Sequence, residues 1–281
     1  MTKRTPSVRI TLGDTGASTT RRPDTLAVEE PLEVRVGATP LNVTMRTPGD
    51  DFDLALGWLV TEGMIADAAQ VAQLMHCLDE DENGSPTYNV VDVTLAPGAR
   101  LDTSRAERAT YTSSACGVCG KTSIDAISAT SRYAVSTDTV RLSPQVLVGL
   151  PDALRARQEV FDRTGGLHAA ALFTASGEPL VVREDVGRHN AVDKVVGWAA
   201  REGRLPPTGH VLVVSGRASF ELVQKAVMAG IPALVAVSAP SSLAVELAQA
   251  SGLTLVGFTR APRMTVYAGV ERVLTGEPVG D

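Results

Sequence analysis

Two cysteines carry the strongest chemical signal in the sequence. Cys116 and Cys119 stand three positions apart in the glycine-containing segment SACGVCGK, which ends at Lys121. Thiolate is the reactive form of cysteine, and a nearby cation or a helix N-terminus lowers the pKa of a thiol. Lys121 could supply that cation, and the neighbouring glycines leave the sulfur atoms approachable. The spacing therefore predicts a reactive loop.

Four kinds of chemistry compete for such a loop. A structural zinc site needs four ligands, but beyond the pair the sequence offers only Cys77, next to His76. A thioredoxin-type dithiol lies near the start of a compact βαβ unit, whereas over a hundred residues precede Cys116. A phosphate-binding P-loop needs a glycine at the position of Ala115. The fourth is a loop on which one thiolate carries a persulfide. These arguments favour the sulfur-carrying loop and leave the dithiol open as an alternative.

The zinc site of a nucleobase deaminase is also absent from the sequence. That chemistry needs a His-x-Glu motif followed by Pro-Cys-x-x-Cys. None of His168, His189 and His210 begins such a motif, and no proline precedes Cys116. The sequence therefore predicts no zinc and no other metal ligand set.

Polar residues follow several predicted strands, at the points where helices begin. In an open parallel sheet such turns line the crevice at the carboxyl ends of the strands. Backbone N–H groups at a helix start suit phosphate, and the arginine fork fits phosphate or a planar heterocycle. The turns therefore predict an anionic ligand. For His189 the alternative is that the side chain only packs at the start of the helix. The candidate residues are Gly187, Arg188, His189, Asn190, Ser215, Gly216 and Arg217, with a further turn at 238–242.

Two arginines three positions apart follow the last predicted strand and predict a phosphate clamp. Their segment consists of Phe258, Thr259, Arg260, Ala261, Pro262 and Arg263. His168, by contrast, lies in an apolar run and is expected to be a hydrogen-bonded core histidine. Cys77 is expected to be a buried structural thiol.

The periodicity of apolar residues predicts a small α+β unit in the first part of the chain. Its predicted elements are strands at 32–36, 41–47 and 88–95, a helix at 51–64 and an acidic loop at 79–87. Residues 1–25 are rich in polar and turn-forming residues and predict a flexible N-terminal arm. Residues 26–140 are thus expected to form an N-terminal domain that ends in the CxxC loop.

The second part, residues 141–281, predicts an α/β domain with a mostly parallel sheet. Strands alternate with helices over short turns, which implies right-handed βαβ crossovers. Unbroken apolar strands such as 211–214 are typical of a sheet covered on both faces. The predicted strands are 167–174, 179–184, 210–215, 232–238 and 252–258, and the predicted helices are 187–202, 217–229 and 240–250.

Composition narrows the classes of function. The 281 residues are 44% apolar and 21% charged, which excludes wholesale disorder. A net charge of −6 gives no basic excess for non-specific binding of nucleic acid. Three cysteines do not make a disulfide framework. No apolar stretch has the length of a membrane span or a signal peptide, so we expect a cytoplasmic protein that binds neither membrane nor nucleic acid.

Five motifs in order resemble the FdhD family, the sulfur carriers required for formate dehydrogenase. They are SACGVCGK from 114, GGLHAA from 165, EDVGRHNAVDK from 184, SGR from 215 and GFTR from 257. The resemblance covers about residues 26–275. It implies a two-domain dimer whose second domain is similar to cytidine deaminases without their zinc. Thr259 is a departure, because many members have a small residue such as cysteine there.

The resemblance also implies an activity, that of a sulfurtransferase. The family accepts persulfide sulfur from a cysteine desulfurase on the first cysteine, here Cys116, and Cys119 would assist. It delivers the sulfur to the molybdenum or tungsten bis(molybdopterin guanine dinucleotide) cofactor before that cofactor enters formate dehydrogenase. The family's cofactor-binding segment corresponds to Phe258–Arg263. Two alternatives stay open at this point: a cofactor-binding chaperone that moves no sulfur, and a CxxC dithiol oxidoreductase.

Overall fold

The structure, a computed structural model, describes residues 1–14, 16–77, 87–102 and 131–275. In these ranges the chain forms three β-sheets and six α-helices, a mixed α/β fold as predicted. The helices are α1 (Asp51–Thr61), α2 (Pro144–Arg155), α3 (Glu159–Thr164), α4 (Arg188–Arg201), α5 (Phe220–Met228) and α6 (Ser242–Ser251). No helix in the described ranges is long and apolar enough to cross a membrane.

The largest sheet has six strands in the order β12-β11-β10-β9-β7-β8. The strands are β7 (His168–Thr174), β8 (Pro179–Asp185), β9 (His210–Val214), β10 (Ala233–Ala236), β11 (Thr254–Arg260) and β12 (Arg263–Ala268). β9, β10 and β11 pair in parallel, and β8 runs in the same direction because β7 lies antiparallel between it and β9. The parallel sheet is therefore confirmed for four strands. β7 and β12 run the other way because short hairpins join them to β8 and β11.

A four-stranded sheet, in the order β4-β3-β6-β5, forms the first unit. Its strands are β3 (Glu30–Val36), β4 (Thr39–Arg46), β5 (Val71–Cys77) and β6 (Val90–Leu95). β3, β4, β6 and α1 confirm the predicted elements. β5 was not predicted, because it is an edge strand whose apolar residues are partly buried or exposed. The predicted loop at 79–87 falls almost wholly outside the described residues.

Residues 1–25, expected to form a flexible arm, instead belong to an antiparallel hairpin. It consists of β1 (Thr2–Gly13) and β2 (Gly16–Ala27), paired along their whole length. Its base is closed by the Val28 N–H, which donates to the Met1 carbonyl at 2.9 Å, and β2 packs against α3. The arm was mispredicted because both faces of the hairpin are largely exposed, so no alternation of apolar and polar residues marks the strands.

Helices α2 and α3 also escaped prediction. In α2 the buried residues Leu147, Leu150 and Leu154 recur at helical spacing, and Pro144 starts the helix where its missing N–H costs nothing. Pro151, in the interior, argued against a helix there. The leucines nevertheless cover one face of the large sheet and offset that cost, so the tertiary packing decides the outcome.

The two units are joined by direct contact between α1 and α4. Gly57 on α1 faces Gly197 on α4, and a Cβ atom at Gly57 would overlap the carbonyl of Asp193, just as one at Gly197 would overlap the carbonyl of Asp53. The helices therefore touch backbone to backbone. One hydrophobic cluster continues across this contact from Leu32 of the first sheet to Leu255 of the second. The division into domains near residue 140 stays a prediction.

We predict that Gly57→Ala lowers the free energy of unfolding by about 3 kcal/mol, the upper end of the usual cost of overpacking. The new methyl group meets backbone, which cannot move aside without separating the helices. Chemical denaturation followed by circular dichroism measures the change. Gly149→Ala in α2 is the matched control: its methyl meets open space, and alanine favours a helix by up to about 1 kcal/mol. Equal stability of the two variants would contradict the close contact.

Candidate functional site

The carboxyl ends of the parallel strands open into a crevice of about 680 Å³. Ser215 follows β9, Val237 follows β10, and Thr259 and Arg260 end β11. His168, the first residue of the antiparallel β7, completes this edge because its strand runs the opposite way. Helices and turns that begin at such an edge leave backbone N–H groups free for a ligand. The crevice is therefore the candidate binding site.

The β9 end of the crevice is fixed by two hydrogen bonds to β7. The Ser215 hydroxyl accepts from the Ala169 N–H at 2.9 Å, and the Ser215 N–H donates to the Ala169 carbonyl at 3.0 Å. Beside them the ring of His168 lies against Gly216: a Cβ there would be 3.6 Å from Nδ1. The imidazole thus lies in van der Waals range of Gly216, at the cavity wall.

His168 is thus not the hydrogen-bonded core histidine that was expected. Its side chain is half-buried and lines the crevice. Burial lowers the pKa of His168, and the charges of Arg188 and His189 lower it further, against the opposing effect of Asp185. The imidazole is therefore held neutral at neutral pH. The motif GGLHAA contained this residue, but an apolar strand pattern does not show which end of the strand meets a cavity.

Thr259 adds a polar group that nothing in the described chain satisfies. The residue is only 1% exposed, yet its Oγ1 has no hydrogen-bond partner there. A buried hydroxyl without a partner costs stability, and such groups often mark ligand sites. Arg260, the next residue, is exposed at the rim of the same cavity. Both residues belong to the segment that the sequence predicts to bind phosphate, and that role stays a prediction.

The rest of that segment forms the tip of the β11–β12 hairpin. Phe258, Ala261 and Arg263 line a separate cavity of about 420 Å³ together with Arg260, while Pro262 is exposed beside it. Arg260 and Arg263 are paired across the hairpin, so their charges lie on neighbouring strands. Phe258 is 53% exposed and has a left-handed backbone (φ 48°), which is rare for a phenylalanine. Its ring is available for stacking on a planar group.

The turn at Gly187–Asn190 serves mainly to join the two units. The Asn190 side chain is buried and donates to the Met45 carbonyl at 2.8 Å and to Asp185 at 3.1 Å, and it accepts from Thr44. The Gly187 N–H donates to Asp185 at 2.8 Å. These atoms are engaged by the protein itself, so Asn190 lies away from the crevice that sequence reasoning assigned to it.

His189 lines a cavity other than the crevice, whereas Arg188 lines neither that cavity, nor the crevice, nor the cavity at the hairpin tip. The cavity beside His189 has a volume of about 310 Å³ and lies at the seam between the units, where Nε2 of His189 lies 3.9 Å from Oε2 of Glu221. The interaction with this imidazole lowers the pKa of Glu221 to about 2. Arg217 is exposed after β9 and lines none of these cavities. Of the predicted turn residues, the structure thus brings Ser215 into the crevice and Gly216 against its wall, with Arg188 near enough to influence His168 electrostatically.

Buried ion pairs surround the seam, and sequence reasoning missed them. Asp185 and Lys194 lie 2.8 Å apart, and Lys194 also donates to the Thr47 carbonyl at 2.9 Å. Asp193 and Lys225 lie 2.9 Å apart, and Asp193 accepts from the Thr61 hydroxyl. Burial raises the pKa of Asp193. Burial opposes the charge on Lys225, but Asp193 and Glu62 raise its pKa.

Cys116 and Cys119 lie outside the described residues. On the N-terminal side of their segment the Asp102 N–H donates to the Met64 carbonyl at 3.0 Å. On its C-terminal side the Ser131 hydroxyl donates to the Val227 carbonyl, at the end of α5, at 3.1 Å. Cys77 ends β5 as a free, half-buried thiol rather than a fully buried one.

Comparisons with known proteins agree on one family. A family model described as the FdhD/NarQ family matches residues 27–274. A protein named sulfur carrier protein FdhD from Streptomyces coelicolor is 57% identical over 281 residues, covering 100% of this chain and 98% of that protein. One of the same name from Anaeromyxobacter is 50% identical over 263 residues, 90% of each chain.

The fold agrees as well. A solved structure from Desulfotalea psychrophila, described as a candidate formate dehydrogenase accessory protein, superposes with a TM-score of 0.73. It is 21% identical, and the match covers 96% of this chain and 99% of that one. The two chains therefore share the arrangement of both units.

We predict that Glu221→Gln weakens acid stability. The pKa of Glu221 lies near 2 in the folded protein, below its ordinary 4.5, so the ionised carboxylate stabilises the fold above about pH 4.5. That contribution disappears as the pH falls to 2. Because the side chain is 43% exposed, solvent screening reduces it to about 1 kcal/mol. Unfolding free energies between pH 2 and 6 test this, with Glu246→Gln, on the exposed face of α6, as the control. Parallel pH curves for wild type and Glu221→Gln would refute it.

Proposed function

This chain belongs to the FdhD/NarQ family, and we propose that it is a sulfur carrier that accepts persulfide sulfur from a cysteine desulfurase. It would pass that sulfur to a molybdenum or tungsten bis(molybdopterin guanine dinucleotide) cofactor before the cofactor enters formate dehydrogenase. The relationship to proteins named sulfur carriers carries the proposal, because it spans the whole chain, including the CxxC segment. The name of the structural neighbour supports formate dehydrogenase as the destination.

The sulfur-accepting step in this proposal is an exchange between thiolates. The Cys116 thiolate attacks the outer sulfur of the desulfurase persulfide, and the bond between the two persulfide sulfurs breaks. The desulfurase cysteine leaves as a thiolate, and Cys116 holds the sulfur as a new persulfide, so that no external oxidant or reductant is needed. Cys119 assists the release by attack and relay: its thiolate attacks the outer sulfur, the bond between the two persulfide sulfurs breaks, and Cys116 leaves as a thiolate. In this sense the chain acts as a sulfurtransferase.

The crevice and the β11–β12 tip are suited to the acceptor. Bis(molybdopterin guanine dinucleotide) is a large anion and binds here as substrate rather than as a resident group. Arg260 and Arg263 can pair with phosphate, and the exposed ring of Phe258 can stack on a planar heterocycle. The unsatisfied Thr259 hydroxyl can hydrogen-bond to the same ligand.

Two alternatives make different predictions for the cysteines. A chaperone that only protects the cofactor would use the crevice and have no need of Cys116. A dithiol oxidoreductase would cycle through a Cys116–Cys119 disulfide and form no persulfide. The cytoplasmic location, the homodimer and the likeness of the second unit to zinc-free cytidine deaminases remain part of the proposal.

We predict that Cys116→Ala abolishes persulfide formation and formate dehydrogenase maturation while the fold is kept. Intact-mass spectrometry after incubation with a cysteine desulfurase and cysteine should show a gain of one sulfur that a reductant reverses. Wild type and Cys119→Ala should gain it, and Cys116→Ala should not. Cys77→Ala is the matched control and should behave as wild type. Full formate dehydrogenase activity in cells that carry only Cys116→Ala would favour the chaperone, and loss of two hydrogens on oxidation without a sulfur gain would favour the dithiol.

We predict that removing the arginine charges at the hairpin tip weakens binding of guanosine diphosphate. Each lost charged hydrogen bond costs about 1.5–3 kcal/mol, so Arg260→Ala and Arg263→Ala should each reduce affinity by about one to two orders of magnitude. Calorimetric titration measures the change. Arg141→Ala, an exposed arginine outside these cavities, should leave the affinity as it is. Unchanged affinity in both tip variants would reject this site.

A further inference from the structure

His168 is the crevice residue to which neither the motifs nor the proposed function gives a role. We propose that His168 contacts the anionic part of the ligand in the crevice and takes up a proton as that anion binds. The inference rests on the proposed function, because it takes the crevice to be the ligand site. It adds a binding residue and makes the capture of the ligand dependent on pH.

The position of His168 is that of a ligand contact. The ring lies on the same cavity wall as Ser215 and faces the cavity that Thr259 and Arg260 also line. Gly216 beside it has no side chain to cover the ring. Neither ring nitrogen has a hydrogen-bond partner in the described part of the chain, whereas His210 bonds to the Thr208 carbonyl. The imidazole can therefore donate to a ligand from the cavity wall.

The charges from α4 and β8 leave His168 in a positive field. Arg188 and His189, at the start of α4, both lower the pKa of His168 electrostatically. Asp185, at the end of β8, opposes them, but its carboxylate is fully buried and pairs with Lys194 at 2.8 Å. The carboxylate also accepts from the N–H groups of Thr47 and Gly187 and from Asn190. These partners largely offset the negative charge of Asp185 and so weaken its electrostatic effect on the imidazole of His168.

The other walls of the crevice carry further charged residues. Across the crevice Arg260 adds a cation from β11. From α2, Arg155 and Asp152 both line the cavity, and Arg155 pairs with Asp162 at 2.6 Å. The exposed Arg217 follows the Ser215 turn. Burial, together with the positive charges, disfavours the protonated imidazole in the free protein, while the arginines at the crevice attract an anion.

An anion in the crevice reverses the balance. A negative charge close to an imidazole favours its protonated form. By linkage, the protonated protein binds the anion more tightly than the neutral one. Affinity is therefore highest below the pKa of His168 in the free protein, and it falls as the pH rises through the higher pKa of the complex.

Nuclear magnetic resonance of ring-labelled histidine tests the proton uptake directly. Sulfate is the first probe, since it does not titrate near neutral pH, with chloride keeping the ionic strength constant. Guanosine diphosphate is the second probe. Each should raise the titration midpoint of His168 by about 1 pH unit, the low end of the shift produced by a nearby opposite charge. The His210 midpoint, at the amino end of β9, should stay in place.

Binding measured between pH 5 and 8 tests the consequence. Wild type should bind sulfate about tenfold more tightly at the acidic end, which is the change that a shift of one pKa unit requires. His168→Asn keeps a polar side chain but cannot take up the proton, so its affinity should be flat across this range. His210→Asn is the matched control and should keep the wild-type slope.

The outcomes separate this inference from the proposed function. If guanosine diphosphate binds while the His168 midpoint stays in place, or if His168→Asn keeps the pH slope, the inference is overturned and the acceptor site stands. If sulfate raises the midpoint but guanosine diphosphate does not bind, the inference stands and the nucleotide acceptor fails. If neither probe moves the midpoint, the inference is overturned.

Discussion

The backbone contact between Gly57 and Gly197 is the constraint on which the rest of the structure depends. Because no Cβ separates the helices, α1 packs directly on α4. This contact holds the unit of the first sheet against the second unit. This approach closes the seam over charged side chains that would otherwise be hydrated. Asp53, for example, is 3% exposed and pairs with Arg183 at 2.8 Å and with Arg201 at 2.9 Å.

Buried ion pairs of this kind do not in general add much stability, since desolvation opposes their attraction. Their consequence here is geometric. Lys194 reaches both Asp185 and the Thr47 carbonyl, and Asn190 bonds to Asp185 and the Met45 carbonyl. Each of these groups has its partners only in one placement of β4 against α4. Loss of one partner would leave a buried charge unpaired, so the pairs penalise any other register.

The same network of hydrogen bonds and ion pairs fixes the turn that leads from β8 into α4, beside the crevice. Asp185 ends β8 immediately before the turn that carries Arg188, and four donors hold its carboxylate. The turn is therefore fixed by contacts on the seam side while its arginine acts on His168 in the crevice. Residues of the motif EDVGRHNAVDK thus work on both sides of α4. This explains why most of the motif is buried although it begins at the edge where a ligand would bind.

The sequence was informative where a local pattern has one physical cause. Alternating apolar strands and helices predicted β7 to β11 and α4 to α6, because burial imposes the period. The turn after a predicted strand likewise placed Ser215 at the crevice. Prediction from the sequence failed where the position of a side chain depends on residues far away in the chain. Nothing near Asn190 shows that its amide faces β4 rather than a ligand, and nothing near His168 shows that its antiparallel strand begins at the carboxyl edge of its neighbours. Both answers depend on how β7 and β4 are placed by residues far away in the chain. A crevice assembled in this way carries a cost, since the buried hydroxyl of Thr259 has no hydrogen-bond partner among the described residues. A hydrogen bond to a group in the cavity would offset that cost, so the buried hydroxyl makes this end of β11 a natural contact point for a polar ligand.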